Sequence, residues 1–392
     1  MRVAIVKNYE VKLTETFIRT HAEHLPAKVS IIHKQPPEIE GGVAVPGLYR
    51  LALSALGRLG GERGTERAST AAYVYLLKKT RPDVVLAEYG TTAVLVREAC
   101  AQLGLPLVVH FHGYDASRTP ILDRYAEAYA EVFHEAAAVV AVSRSMRDRL
   151  IGLGALPERV VVNPCSVDLD AFPVGKPGES PPIFLAVGRL VEKKAPHLLV
   201  LAFAEVHRQY SEARLRIVGD GPLSGVVADL VAALELADAV DLLGPQPHDV
   251  VREEMQRARA FVQHSVIALD GDSEGTPVSV LEASASGLPV VSTHHAGIPD
   301  AVLDGVTGFI VAERDVGGMA ERMLQLARDP QLATRMGRLG RERVEAFYRQ
   351  DLRMDRLWEV VRRAAEGRAL GEKLLHDPIE LAETEEGEES LP

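Results

Sequence analysis

Glu274 and Glu282 stand eight positions apart in "EGTPVSVLE", on either side of a Thr-Pro pair. Thr276 reads as a helix N-cap and Pro277 as the first helical residue. The amides of Val278 and Ser279 would then lack intrahelical partners and face outward, a site for an anion or a hydroxyl. Glu274 falls in the loop beside that site, and Glu282 about one helical turn deeper. Amides for phosphate and one carboxylate for each of two sets of hydroxyls would hold a phosphorylated, hydroxyl-rich ligand. Two surface glutamates flanking a buried helix would give the same spacing, so spacing alone leaves both readings open.

A second group of charges lies in "VGRLVEKKAP" (187–196), where a strand ends at Gly188 and presents Arg189 and Lys194. An arginine fork and a lysine point charge just past a strand end suit a diphosphate. A solvated basic turn is the competing account; Arg189 is the stronger candidate, and Lys193 is expected to face solvent. In "IVGDGPL" (217–223), Gly219 and Gly221 let a ligand approach the backbone. Gly225 comes one position too late for a dinucleotide fingerprint.

Histidines offer less. "VVHFHGYD" (108–115) puts His110 and His112 on one side of a strand, with only His112 in the glycine turn. A strand-end histidine paired locally explains this equally well, and a metal site would need carboxylates where only Asp115 is near in sequence. His294 and His295 are adjacent on an extended segment and must diverge. Asp270 and Asp272 sit in "DGDS", which reads as a solvated turn. No metal site is expected.

These residues need a scaffold. "RVAIV" (2–6), "KVSIIH" (28–33), "DVVLAEY" (83–89), "LPLVVHFHG" (105–113), "AAVVAVS" (137–143) and "RVVVN" (159–163) read as strands alternating with helical stretches. Continuous apolar strands alternating with helices mean a parallel, doubly wound α/β sheet. The rhythm restarts in "PIFLAVGRL" (182–190), "ARLRIVGDG" (213–221), "AVDLLG" (239–244), "ARAFVQHS" (258–265), "LPVVST" (288–293) and "GFIVA" (308–312). We expect a first domain over 1–172, a Pro/Gly-rich linker over 173–182 and a second α/β domain over 183–348. A last helix over 349–370 would cross back to the first domain, before an acidic, disordered tail over 371–392. Two such domains face each other across a deep cleft, where ligands bind at loops after strands.

Bulk properties agree. A chain of 392 residues with 47% apolar and 25% charged residues supports two cores. Two cysteines, Cys100 and Cys165, make neither a disulfide framework nor a zinc cluster. No stretch reaches the roughly 18 apolar residues of a membrane span, so the chain is expected to be soluble or to sit on a membrane surface. Gly371–Pro392 holds eight acids and one lysine, or −7 of the net charge of −11, which leaves −4 for the body. Nothing in that balance suggests a general nucleic-acid surface. The first glycine is Gly41, so no dinucleotide loop follows the first strand, which counts against a nicotinamide-dependent dehydrogenase.

Taken together, "VGRL…EKKAP", "IVGDGPL" and "EGTPVSVLEASASGLPVVST" resemble the second domain of the retaining glycosyltransferases of family 4, which have the GT-B fold. "LTETFI", "HFHGYD", "VSRSMRDRLIGLG" and "NPCSVDLDAF" resemble their acceptor domain, with the flavour of bacterial colanic-acid or exopolysaccharide enzymes. The resemblance covers about residues 1–368. It implies a nucleotide-diphosphate sugar as co-substrate, UDP- or GDP-linked, with no separate cofactor. It implies that Glu274 contacts the donor sugar and Glu282 the ribose, and that Arg189 and Lys194 neutralise the leaving diphosphate. Gly188, Gly219, Gly221, Leu242, Gly275, Thr276, Pro277 and Val278 would line the donor, and His112 would sit near the reacting sugar. Thr14, Glu15, Tyr89 and Asp115 would lie on the acceptor side.

The chain departs from the pattern at several points: Pro277–Val278 for Gly-Leu, Ala195 and Ser166 for Gly, His264 for Pro and Asp300 for Glu. None removes a charged donor group. The expected activity is metal-independent transfer of a hexose to an acceptor hydroxyl. A 2-epimerase, a phosphorylase or a non-catalytic sugar-nucleotide binder would share this architecture. The acceptor is expected to be a glycan or lipid-linked. The stretch 48–80 mixes apolar residues with Arg50, Arg58, Arg63 and Arg67, a basic amphipathic membrane surface or ordinary helices with a wet face. A cytoplasmic monomer or homodimer is expected.

Overall fold

The computed structural model describes residues 1–9, 16–41, 43–44 and 46–379. Its contacts divide the chain into two units: Met1–Pro164 with the described residues from Asp351 onward, and Cys165–Gln350.

The first unit holds β1 (Arg2–Val6), β2 (Lys28–His33), β3 (Glu38–Ile39), β4 (Val43–Ala44), β5 (Val84–Glu88), β6 (Leu107–Phe111), β7 (Ala138–Ala141) and β8 (Val160–Val162). They form one sheet in the order β4-β3-β2-β1-β5-β6-β7-β8. All neighbours are parallel except β2–β3 and β3–β4. Strands β5 to β8 are buried along their whole length, which is why they read as unbroken apolar runs. The two antiparallel edge strands are two residues long and carry no periodic signal.

The helix Gln350–Ala365 completes this unit's core. Leu357, Val360 and Val361 are buried in one cluster with Ile5, Leu86 and Val161. Arg356 donates to Val162 O at 3.0 Å and to the carbonyls of Lys373, Leu374 and His376. A short helix, Glu372–Leu375, follows, with Leu374 and Ile379 buried. The tail expected to be disordered from 371 therefore begins with a packed segment. Residues 380–392, with six of the eight acids, lie outside the described residues.

The second unit holds β9 (Ile183–Val187), β10 (Arg214–Val218), β11 (Val240–Gly244), β12 (Ala260–Gln263), β13 (Val290–Thr293) and β14 (Gly308–Val311). Their order is β11-β10-β9-β12-β13-β14, all parallel. Sheet order reverses between β9 and β12, and at such a switch point the strand ends open a ligand crevice. The loops 188–195 and 264–277 leave the sheet there.

The chain passes between units at Pro164–Cys165, earlier than the stretch 173–182 expected as linker. The segment before that stretch is held by the second unit: Val167 N–H donates to Tyr348 O at 3.0 Å, and Arg341 Nη1 to Phe172 O at 2.9 Å. Gly175 N–H, inside the stretch, donates to Ser286 O at 2.8 Å. Among the described residues no helix is long and apolar enough to cross a membrane.

Candidate active site

Two loops meet past the end of β9. Gly188 has φ 154°, and a Cβ there would lie 3.0 Å from Lys194 Cε, so glycine leaves room for the lysine. A Cβ on Gly219 would stand 1.9 Å from Gly188 O, and one on Gly221 2.5 Å from Leu190 O. Both glycines of "GDG" thus let loops 188–190 and 219–221 pack, a job the sequence reading assigned to ligand approach.

The turn Glu192–Lys194 ends at Ala195, with φ 37°, the left-handed conformation glycine favours. That turn grips the acidic loop at three successive residues. Glu192 Oε1 accepts the Leu269 N–H at 2.8 Å. Lys193 Nζ reaches Asp272 Oδ1 at 3.1 Å and Ser273 O at 3.0 Å. Lys194 Nζ lies 3.0 Å from Glu274 Oε1, an ion pair without hydrogen-bond alignment at that oxygen. Lys193 therefore does not face solvent as expected, because the "DGDS" turn folds over it. Arg189 is exposed, and its side chain makes no ion pair or hydrogen bond to a described residue.

Gln263, which the sequence did not mark, joins the charges to the helix. Its Oε1 accepts from Lys194 Nζ at 3.0 Å and from Ser279 Oγ at 3.2 Å, while its Nε2 donates to Ser265 Oγ at 2.8 Å. The helix is Val278–Ala285, with Pro277 at its N-cap position and no side-chain cap. It starts one residue later than expected, and Thr276 lies outside it. The first N–H groups bonded back are those of Val280 and Leu281, to Pro277 O, which leaves the Val278 and Ser279 amides at the helix start. Gly275 and Thr276 are buried beside it. Leu242 lies apart on edge strand β11, 40% exposed.

The two glutamates differ sharply. Burial would raise the Glu274 carboxyl, but Lys194, then Lys193, outweigh it and hold it at about 2. Burial dominates at Glu282 and pushes it up to about 7, with Arg252 and Lys194 only partly opposing. Glu274 is an anion within an ion pair; the Glu282 carboxyl makes no hydrogen bond or ion pair to a described residue.

In the first unit, the expected acceptor residues gather differently. Parallel register puts Glu88 of β5 beside His110 of β6. His21 Nδ1 and His112 Nε2 each bond the fully buried Glu88 carboxylate at 2.7 Å. His110 Nδ1 lies 3.7 Å from it. The carboxylate missing from the sequence reading of these histidines is thus Glu88, not Asp115. Burial would raise Glu88, but His21 and His112 outweigh it and hold it well below the usual range. Burial, then His112, pushes His110 well below the usual imidazole range. Asp115 accepts the N–H groups of Gly90, His112 and Gly113 at 2.9–3.1 Å, and burial raises it. Its carboxylate shapes the loop. Tyr89, at φ 76°, packs its ring against His112 and Tyr114. Thr14 and Glu15 lie outside the described residues.

The two halves match two family models: residues 14–171 match "Glycosyltransferase Family 4" and residues 169–343 "Glycosyl transferases group 1". A putative colanic acid biosynthesis glycosyltransferase, WcaL, from Escherichia coli K12 is 33% identical over 279 residues, 69% of this chain and 68% of that protein. This chain belongs to the family 4, group 1 glycosyltransferases. The WcaL of Salmonella typhimurium is 34% identical over 252 residues, 63% of this chain, and the match spans 62% of that protein, under two thirds of its length. Among solved structures, a sucrose-phosphate synthase from Thermosynechococcus elongatus aligns at TM-score 0.75 and 18% identity over 93% of this chain and 99% of that one. Anabaena HepE in complex with UDP aligns at TM-score 0.74 and 16% identity over 92% and 100%. The fold is GT-B, with two Rossmann-like units.

Proposed function

We propose that this glycosyltransferase moves a hexose from a nucleotide-diphosphate donor to an acceptor hydroxyl with the anomeric configuration retained. The observation that carries the proposal is the grouping of Lys194, Glu274, Gln263 and the helix start at Val278 around the β9–β12 switch point. Negative charge develops on the leaving diphosphate. The Val278 amide and Lys194 meet it from fixed positions, and the exposed Arg189 side chain folds onto it. Glu274 binds the donor sugar and Glu282 the ribose hydroxyls, which supply the hydrogen bonds its carboxyl lacks. Retention proceeds by attack on the face the diphosphate leaves, with a phosphate oxygen taking the acceptor proton. These cations do the work that a divalent metal would do, so no metal is required at the diphosphate.

The donor is a UDP- or GDP-sugar; UDP in the HepE structure supports the first. The WcaL names support a role in polysaccharide assembly. The acceptor, a glycan or lipid-linked glycan, belongs to the first unit, and the enzyme works in the cytoplasm, peripheral to the membrane. Flotation with anionic liposomes tests that contact: co-migration supports it, and recovery in the soluble fraction removes it. The functional reading is tested by thermal shift against a panel of nucleotide sugars, then by NMR of the product with the stabilising donor. A retained anomeric configuration in a transferred sugar is expected. An inverted product would refute retention, and no stabilisation by any nucleotide sugar would refute the donor site.

A further inference from the structure

The acidic loop is also held by residues that follow β13 and β14. Glu274 N–H donates to His295 Nε2 at 3.0 Å. A backbone N–H only donates, so Nε2 must be the bare acceptor nitrogen and the ring proton must sit on Nδ1. Nδ1 faces Glu313 Oε1 at 2.5 Å. The other oxygen of Glu313 accepts the Ile267 N–H at 2.9 Å. One carboxylate just past β14 thus fastens the loop at both ends, directly at Ile267 and through the imidazole at Glu274. The His295 side chain is 1% exposed. Ala296, at φ 49°, turns the chain back so that Gly297 N–H donates to Gly275 O at 3.0 Å. The loop carrying Glu274 is thus pinned at residues 267, 274 and 275.

We propose that His295 and Glu313 are positioning residues for transfer: they set the main chain of Glu274 and so the placement of its carboxylate on the donor sugar. This rests on the transferase reading above. Neither residue touches the diphosphate-binding cations, so losing the pair should misplace the acid and leave nucleotide capture intact. A misplacement of about 1 Å at a reacting group costs about 10²-fold in turnover. The effect should fall on kcat and not on donor KM, the signature of an interaction used in the transition state.

The test compares His295→Gln, His295→Phe and Glu313→Ala in the full chain. A glutamine amide oxygen can reach the place of Nε2 and accept the Glu274 N–H; phenylalanine fills the space and cannot. We expect His295→Phe and Glu313→Ala to lower kcat by about 10²-fold, with donor KM within about threefold, and His295→Gln to keep most of the turnover. Nitrogen-15 NMR of the wild-type histidine rings should show His295 protonated at Nδ1. An Nε2-protonated ring would overturn the proposal even if His295→Phe does not fold. So would a folded His295→Phe with wild-type turnover, or a His295→Gln as slow as His295→Phe. A wild-type chain that transfers no sugar removes the functional reading and this inference together; a transferring wild type with unaffected variants removes this inference alone.

Discussion

Glu88 in the first unit and Glu274 in the second are both carboxylates withdrawn from water, and they are neutralised by different chemistry. Glu88 lies among imidazoles, with His21 and His112 at 2.7 Å. Glu274 lies against ammonium groups, Lys194 at 3.0 Å and Lys193 one residue before it. Imidazoles change charge within the ordinary pH range, whereas lysines keep theirs. The second unit therefore carries a permanent electrostatic frame, the property a diphosphate leaving group needs. The first unit instead matches its buried carboxylate with two imidazoles at hydrogen-bond distance. Glu282 marks the contrast from inside the second unit: half-buried and without an ion-pair partner among the described residues, it is raised instead of lowered, because burial outweighs Arg252 and Lys194.

The largest break in this comparison is Lys194→Ala. It removes charge at the proposed diphosphate site and leaves Glu274 a buried acid without its ion-pair partner. We expect kcat to fall about 10²–10³-fold, together with a lower melting temperature. Arg189→Ala should lower turnover on the same scale but leave the melting temperature unchanged, because its side chain makes no hydrogen bond or ion pair to a described residue. Single-turnover kinetics and calorimetry on the two variants check both statements, and near-normal turnover would remove either residue from the mechanism.

Glu282→Gln sharpens the contrast between the two acids of the second unit. A carboxyl raised in the fold favours the protonated, folded form below its unfolded value near 4.5, and that advantage is lost as pH climbs through about 7. The shift corresponds to roughly 3 kcal/mol. Without ligand, the variant should match wild type near pH 4 and be the more stable protein above pH 7. Chemical denaturation at both pH values decides it, and equal stability at pH 8 would contradict the raised value.

The first unit should respond in the other direction. His110 is held neutral by burial, so its contribution is present above the unfolded imidazole value near 6.5 and is lost as pH falls below it. The slope approaches about 1.4 kcal/mol per pH unit for one proton. His110→Phe should flatten stability between pH 6.5 and 5; a slope unchanged by the substitution would mean that other groups carry it. Smallest of all is the effect of a chelator: turnover with EDTA should equal turnover without it, and a loss restored by Mn²⁺ would refute metal independence.

Much of this architecture is legible because its strands are buried on both faces. β5 to β8 and β12 to β13 announce themselves as apolar runs, whereas β3 and β4, two residues each at a sheet edge, have too little pattern to register. The spacing of Glu274 and Glu282 across Thr-Pro, and of Arg189 and Lys194 after Gly188, is local and could be read directly. The partners that give those residues their properties are distant in the chain. Lys193 meets Asp272 across 79 positions, and Glu88 meets His112 across 24. Glu88 did leave a trace: a charged residue closing a fully buried parallel strand needs a partner, and parallel register supplies His110 and His112 from the next strand. His295 and Glu313 left none, since a histidine after β13 and a glutamate after β14 look like ordinary loop residues until the strands are paired.

The central claim is that Arg189, Lys194 and the Val278 amide surround one diphosphate whose ribose reaches Glu282. A crystal structure with bound UDP or GDP tests it most directly. The account predicts phosphate oxygens within hydrogen-bond distance of Lys194 and Val278, the Arg189 side chain folded onto them, and ribose hydroxyls on Glu282. A nucleotide bound anywhere else on the chain, with these four groups unoccupied, would contradict it.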